Sequence, residues 1–229
     1  MVKEFFKGAI APKSAISISR TRIEQLATAN SEREFGQGNL RYLQKQENCS
    51  YCLLDYRDDF TKLANKRYFN IWLEQVWKRL ALEQLPLSLI LIEIDYFKIY
   101  HQSRKDEAGD DCLQQIAKVI STCVQPPDGL AARCGGEKFA LIIPQMKADK
   151  ALKIAENIRK KVKELGFEHD SQIDGLPDRV VTVSLGVGTT IPQIGVLPSL
   201  LMQAAEAALY QSQRTGRDRT EVKCILASS

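Results

Sequence analysis

The sequence lacks any apolar run of the ~18 residues that a membrane-crossing helix requires. Its longest candidate, residues 85–95 (LPLSLILIEID), has the length of a strand and ends in acids. The opening MVKEFFKGAIAPKSAIS has two early lysines, but Gly8 and Pro12 break its short apolar patch, which makes a poor secretory signal. A cytoplasmic protein with no membrane partner is expected. Cysteine is scarce, six in 229 residues, too sparse for a disulfide framework. Cys49 and Cys52 form a lone CxxC with no second pair or histidine at zinc spacing, so free thiols are expected there. Aromatics are 7% of the chain and nowhere interleave with a dense basic stripe, which argues against nucleic acid as a partner. Excess charge is also small, +4, and most of it lies in residues 1–50, where eight Lys/Arg face five Asp/Glu. What is present is ordinary for a globular protein: 44% hydrophobic and 26% charged residues.

Residues 1–52 are polar and punctuated by Gly8, Pro12, Gly36 and Gly38, and read as an N-terminal extension, partly helical. Residues 53–229 read as one domain. A helix is expected over 65–84, with Phe69, Trp72, Leu73, Val76 and Leu80 on one face and Pro86 beyond its end. Residues 87–94 are almost wholly apolar and β-rich, the pattern of a strand covered on both faces. Amphipathic helices follow over 109–124, 149–165 and 197–213, and further strands over 130–134, 139–143, 179–188 and 221–226. Gly135-Gly136 between two β-like runs signals a hairpin, because tight hairpin turns need positive φ. The order predicts an α+β fold, one mixed central sheet flanked by helices. His169 reads as alone in a polar loop, and Cys134 as a small strand residue.

The central strand ends in Glu93-Ile94-Asp95. Side chains alternate along a strand, so Glu93 and Asp95 share a side. Glu137 lies at the tip of the expected hairpin. Carboxylates at the end of a buried strand are costly unless hydrated, paired or metal-bound. Converging there, they could hold Mg²⁺ together with substrate phosphates. Spacing alone favours ordinary strand-end acids near solvent.

Five ordered blocks add a resemblance: DDFTKLANKRYF (58–69), LILIEIDYFKIYHQSRKDEAGDDCL (89–113), ARCGGEKFALIIP (132–144), VTVSLGVGT (181–189) and ALYQSQRTGRDR (208–219). Together they resemble the GGDEF family of diguanylate cyclases over about 170 residues. The resemblance implies a fold like nucleotidyl cyclases and polymerase palms. It implies two domains meeting face to face, as homodimer or as heterodimer with another GGDEF domain. It also implies GTP with Mg²⁺ or Mn²⁺, and cyclic di-GMP made from two GTP by attack of each 3′-hydroxyl on the other's α-phosphate.

Carried over residue by residue, the match implies Glu137 as the catalytic acid and Glu93, Ile94 and Glu137 as the metal positions. It implies Lys98, His101, Asp110, Gly135, Gly136 and Arg217 as the GTP positions. Four of these motif positions depart from the family. Glu93 replaces an Asp, His101 replaces a guanine-reading Asn, Lys138 stands where a second acid is usual, and Gln213 where a phosphate-binding Lys is usual. The product-inhibition motif RxxD would fall on Pro126 and Gly129, or one residue earlier on Gln125 and Asp128, and has no Arg in either register, so no inhibitory site is expected. The resemblance thus implies a GGDEF protein of cyclic di-GMP signalling with weak or no cyclase activity, acting through GTP or partner binding. An active diguanylate cyclase, supported by Glu137, Asp95, Lys98, Asp110 and Arg217, is the alternative, and a non-nucleotide dimeric adaptor a further one.

Overall fold

Leu87 to Ile94 carry so few polar groups that only a place between two helical layers accommodates them, and they form the middle of a sheet. The computed structural model describes residues 56–103, 106–124, 128–170 and 179–225. These all belong to the second of two units, Tyr56–Ser229. The expected 1–52 extension and the Cys49/Cys52 pair lie outside the described residues. In chain order the elements are β1 (Ala64–Asn65), α1 (Lys66–Glu83), β2 (Leu87–Ile94), α2 (Phe97–Ser103), α3 (Asp106–Ser121), β3 (Leu130–Gly135), β4 (Lys138–Pro144), α4 (Ala148–Glu164), β5 (Val183–Thr190), α5 (Ser199–Arg214) and β6 (Thr220–Cys224).

The six strands make one mixed sheet in the order β1-β3-β4-β2-β5-β6. Central β2 is antiparallel to both β4 and β5, and β3 and β4 form the expected hairpin. The two edge strands run parallel to their neighbours, β1 to β3 and β6 to β5. The α+β architecture is therefore as expected.

The alternation of β2 divides its side chains between two layers. On one face Ile90, Ile92 and Ile94 join Phe139 and Leu141 against Ile116 and Ile120 of α3 and Ile158 of α4. Each such side chain, fully buried, contributes about 1.5–3 kcal/mol. On the other face Leu87, Leu89 and Leu91 are buried, with α5 packed against the strand. Helix α5 approaches β5 through glycine. A Cβ added at Gly186 would lie 2.2 Å from the Leu209 nitrogen and 2.3 Å from the Ala205 oxygen. Gly186-Val187-Gly188 is thus a stretch of strand whose missing side chains admit a helix backbone.

Several expectations need correction. Trp72 is only half-buried, whereas Trp77 is buried and its indole N–H donates to the Val196 carbonyl at 2.8 Å. The buried stripe of α1 runs Phe69, Leu73, Val76, Trp77, Leu80, and Trp72 lies farther round the helix from its centre. His169 is buried rather than in a polar loop, packing edge-on against Tyr100 at 5.6 Å beside the Glu168–Val180 bridge. Strand β5 begins four residues later than expected and runs on through Thr189 and Thr190, which pair with Ser88 and Leu87. Helix α2 and strand β1 were not expected at all. Among the described residues no helix is long and apolar enough to cross a membrane.

Candidate functional site

The register between β2 and β4 decides what the end of the central strand can do. It sets Glu93 directly opposite Lys138, the first residue of β4 and two past Gly136. Side chains opposite one another on one face of a strand pair are near neighbours. The Lys138 ammonium stands 3.6 Å from the Glu93 carboxylate, with Glu93 mostly covered and Lys138 about half exposed. The Lys138 charge also reaches Glu206 on α5, whose carboxyl is pushed up by burial against the pull of that ammonium. Ile94 is buried, and its N–H donates to the Glu137 carbonyl at 3.2 Å, tying the strand end to the hairpin tip.

The hairpin itself is shaped by its glycines. Gly135 and Gly136 have φ of +119° and +53°, and a Cβ on either would meet nothing within 4 Å. Glycine is needed there for backbone conformation, and the space beyond the turn is open. Arg133, just before the turn, braces it by donating from Nε to the Gly136 carbonyl at 3.0 Å, and from its guanidinium to Asp58 at 3.2 Å. Between them, Cys134 has its thiol pushed up to about 12 by burial, as befits an inert strand residue.

Asp95 does something the sequence did not reveal. Its carboxylate is buried and accepts from the Thr182 hydroxyl at 2.8 Å, the Ser184 hydroxyl at 2.7 Å and the Asp218 backbone N–H at 3.2 Å. Burial raises its pKa, and these three donors with the Arg217 charge only partly oppose the rise. Arg217 lies 3.9 Å from Asp95, donates to the Tyr96 hydroxyl at 3.0 Å, and stacks its guanidinium 4.4 Å over that ring. Arg217 and Asp218 both have positive φ, 60° and 43°, so the turn after α5 is sharply set. Asp218 then fastens this turn to α4 through ion pairs with Arg159 and Lys163. Tyr96, Asp218 and Arg133 are thus residues that sequence reasoning left out or left without a role, and Asp95, expected beside Glu93 as a carboxylate for Mg²⁺, instead accepts from Thr182, Ser184 and Asp218. Their partners lie up to 123 residues away in the chain, and only the acid beside the strand end hinted at them.

Of the remaining positions, His101 and Asp110 form a pair of their own. His101 on α2 and Asp110 on α3 approach to 3.9 Å, and the imidazole covers Gly109 so closely that a Cβ there would lie 2.3 Å from the ring. Lys98 is exposed on α2, and Gln213 is half-buried near the end of α5. Of the inhibitory-motif positions, Asp128 and Gly129 are described and Gln125 and Pro126 are not. Gly129 is buried against Val124 and the Ile142 carbonyl, leaving no room for a side chain.

A divalent metal fits poorly into this arrangement. Its side-chain oxygens would be those of Glu93 and Glu137, and the former already faces an ammonium. A dication on the Glu93 carboxylate would lie roughly 5 Å from Lys138 and meet about 6 kcal/mol of repulsion at an effective dielectric near 20, about half that after screening at a half-exposed group. Among the described residues no group of three His, Cys, Asp or Glu side chains could hold a metal ion.

Comparison with known proteins identifies the family. Residues 55–219 match the model of the diguanylate cyclase GGDEF domain. The response regulator PleD of Caulobacter vibrioides is 35% identical over 161 residues, covering 70% of this chain and 34% of PleD. Diguanylate cyclase A of Treponema denticola is 33% identical over 165 residues, covering 71% of this chain and 43% of that protein. The chain thus spans well under half the length of these two relatives. Among solved structures, the GGDEF domain of DgcB from Caulobacter crescentus in complex with c-di-GMP is 32% identical. It matches with a TM-score of 0.65 over 74% of this chain and 93% of that one. Diguanylate cyclase SiaD of Pseudomonas aeruginosa, in complex with its activator SiaC, matches at 0.63 with 27% identity, over 90% of this chain and 72% of that one. With the family model matched over residues 55–219, the chain belongs to the GGDEF domain family of diguanylate cyclases.

Proposed function

We propose that this protein is a GGDEF domain of cyclic di-GMP signalling whose cyclase activity is weak or absent, and that it acts in the cytoplasm by binding GTP or a protein partner. The observation that carries the reading is the Glu93–Lys138 ion pair, which spends one expected metal ligand on a built-in cation. Phosphoryl transfer depends on positioning and on positive charge held against the developing negative charge. The groups for positioning remain: the open Gly135-Gly136 turn, Lys98, and an Arg217 held by Tyr96 and Asp95. For the guanine, Asp110 remains but His101 stands beside it, and a neutral imidazole cannot offer the donor–acceptor pair of an amide. Binding is therefore better provided for than turnover. Similar domains have been solved with c-di-GMP or with an activator protein bound, which supports a ligand- or partner-responsive role. Pairing with itself or with an intact GGDEF domain suits either use.

A working cyclase is the second reading, favoured by Glu137, Lys98, Asp110 and Arg217 at their motif positions. One experiment separates the two. The purified protein is incubated with GTP and Mg²⁺ or Mn²⁺, products are resolved by chromatography, and GTP binding is measured in parallel. The expected result is binding with no cyclic di-GMP above a Glu137→Ala control. Product above that control would overturn the reading. The combined changes Glu93→Asp, Lys138→Glu, His101→Asn and Gln213→Lys are expected to restore metal-dependent turnover, and a folded but still inactive variant would refute this account of the defect.

A further inference from the structure

We propose that Lys138 takes over the task of a divalent cation, so that this domain binds the phosphates of a nucleoside triphosphate without metal. The inference rests on the reading that a nucleotide occupies this site. Its physical basis is local charge and geometry. A divalent ion in such a site does two things: it neutralises carboxylates at the strand end and it presents positive charge to phosphate oxygens. Lys138 is placed for both. The β2–β4 register fixes it opposite Glu93, and its ammonium lies 3.6 Å from that carboxylate. An ammonium has three N–H donors. At 3.6 Å the contact with Glu93 is an ion pair looser than a hydrogen bond, and about half of the Lys138 side chain is open to solvent, so donors remain for an incoming anion.

The surroundings suit an anion that arrives without a counterion. The open Gly135-Gly136 turn adjoins Lys138, with nothing within 4 Å of where either side chain would be. Arg217 is a second cation, held in place by Tyr96 and Asp95. Lys98 is a third, exposed on α2. Glu93 and Glu137 are the acids of the strand end and the hairpin tip, and Lys138 sets a built-in positive charge against them with no metal. With an acid at 138 the strand end and hairpin tip would hold three carboxylates and no cation, and phosphate would need a dication to enter. A single residue thus exchanges a metal-dependent triphosphate site for a metal-independent one.

The test is calorimetric titration of the full 229-residue chain with GTP in EDTA and again in excess Mg²⁺. The expected result is an affinity in EDTA within about threefold of that in Mg²⁺. The Lys138→Met variant, which keeps the aliphatic stem, should lose about tenfold or more in both buffers, and Lys138→Glu should bind only in Mg²⁺. If the parent binds GTP only with Mg²⁺, or if Lys138→Met binds as the parent does in EDTA, the inference is overturned while the nucleotide-binding reading stands. If the folded parent binds GTP in neither buffer, that reading falls as well and takes the inference with it.

Discussion

Replacing Gly186 by alanine should damage this protein more than any other single added methyl on β5. The new Cβ would stand 2.2 Å from the Leu209 nitrogen, 2.3 Å from the Ala205 oxygen and 2.7 Å from the Leu209 Cα, all backbone atoms of α5, where ordinary contact begins near 3.4 Å. No rotamer change relieves a clash with backbone, so α5 must retreat by more than an ångström along one turn. Overpacking of this kind costs about 1–3 kcal/mol, and a triple backbone clash belongs at the upper end. At about 2–4 °C per kcal/mol for a chain of this size, the melting midpoint should fall by about 6–12 °C. Gly188 supplies the internal comparison, since a Cβ there would approach nothing closer than 2.9 Å, and its alanine variant should lose less. Because α5 leads directly into the turn that carries Arg217, GTP affinity should fall with stability in Gly186→Ala. Thermal melts followed by circular dichroism, with GTP titration of each folded variant, measure both. A Gly186→Ala midpoint within about 2 °C of the parent, or a larger loss in Gly188→Ala, would refute the packing argument.

Two further outcomes follow from the charge network. Asp218→Asn keeps a residue tolerant of positive φ but removes the anion shared by Arg159 and Lys163, so it should cost about 1–2 kcal/mol by urea denaturation and weaken GTP binding through the adjacent Arg217. Acid stability gives the second. Burial alone would raise Glu156 and Asp58, but hydrogen bonds from Arg159 and Thr220 to the one, and from Thr61 and Arg133 to the other, hold both below the ordinary range. A lowered carboxylate stabilises the fold above its unfolded pKa, and that contribution disappears as pH falls through the lower folded value. Asp95, raised by burial, acts in the opposite sense and loses its contribution as pH rises from the ordinary value toward the folded one. Stability should therefore fall below about pH 4, and the double variant Glu156→Gln, Asp58→Asn should flatten that acid limb in urea titrations at stepped pH.

Most of the fold was legible because its signals are local. The apolar run of β2 reads as a covered strand, and the two glycines of the hairpin read as a turn. Helix α2 escaped because seven residues starting at Phe97 give no cap and too short a period to recognise, and β1 because two residues give no pattern. Trp72 was misjudged because two tryptophans five residues apart flank one apolar stripe, and only tertiary packing chooses between them. The candidate site was legible as a set of residue types. Its pairings were not: that Lys138 meets Glu93 depends on the strand register, and that Asp95 meets Asp218 depends on two elements 123 residues apart. A sequence shows a reversed charge, and only the fold shows which partner neutralises it.

The Glu93–Lys138 contact also ties two positions of the chain to one another. Two charges facing each other across a strand pair cannot be exchanged independently, because changing either one leaves its neighbour unbalanced on a half-covered surface. An acid restored at 138 would face Glu93 as a like charge until an external cation arrived. The two positions therefore act as one electrostatic unit, whose balance is set inside the fold with lysine at 138 and by the solution's ions with an acid there.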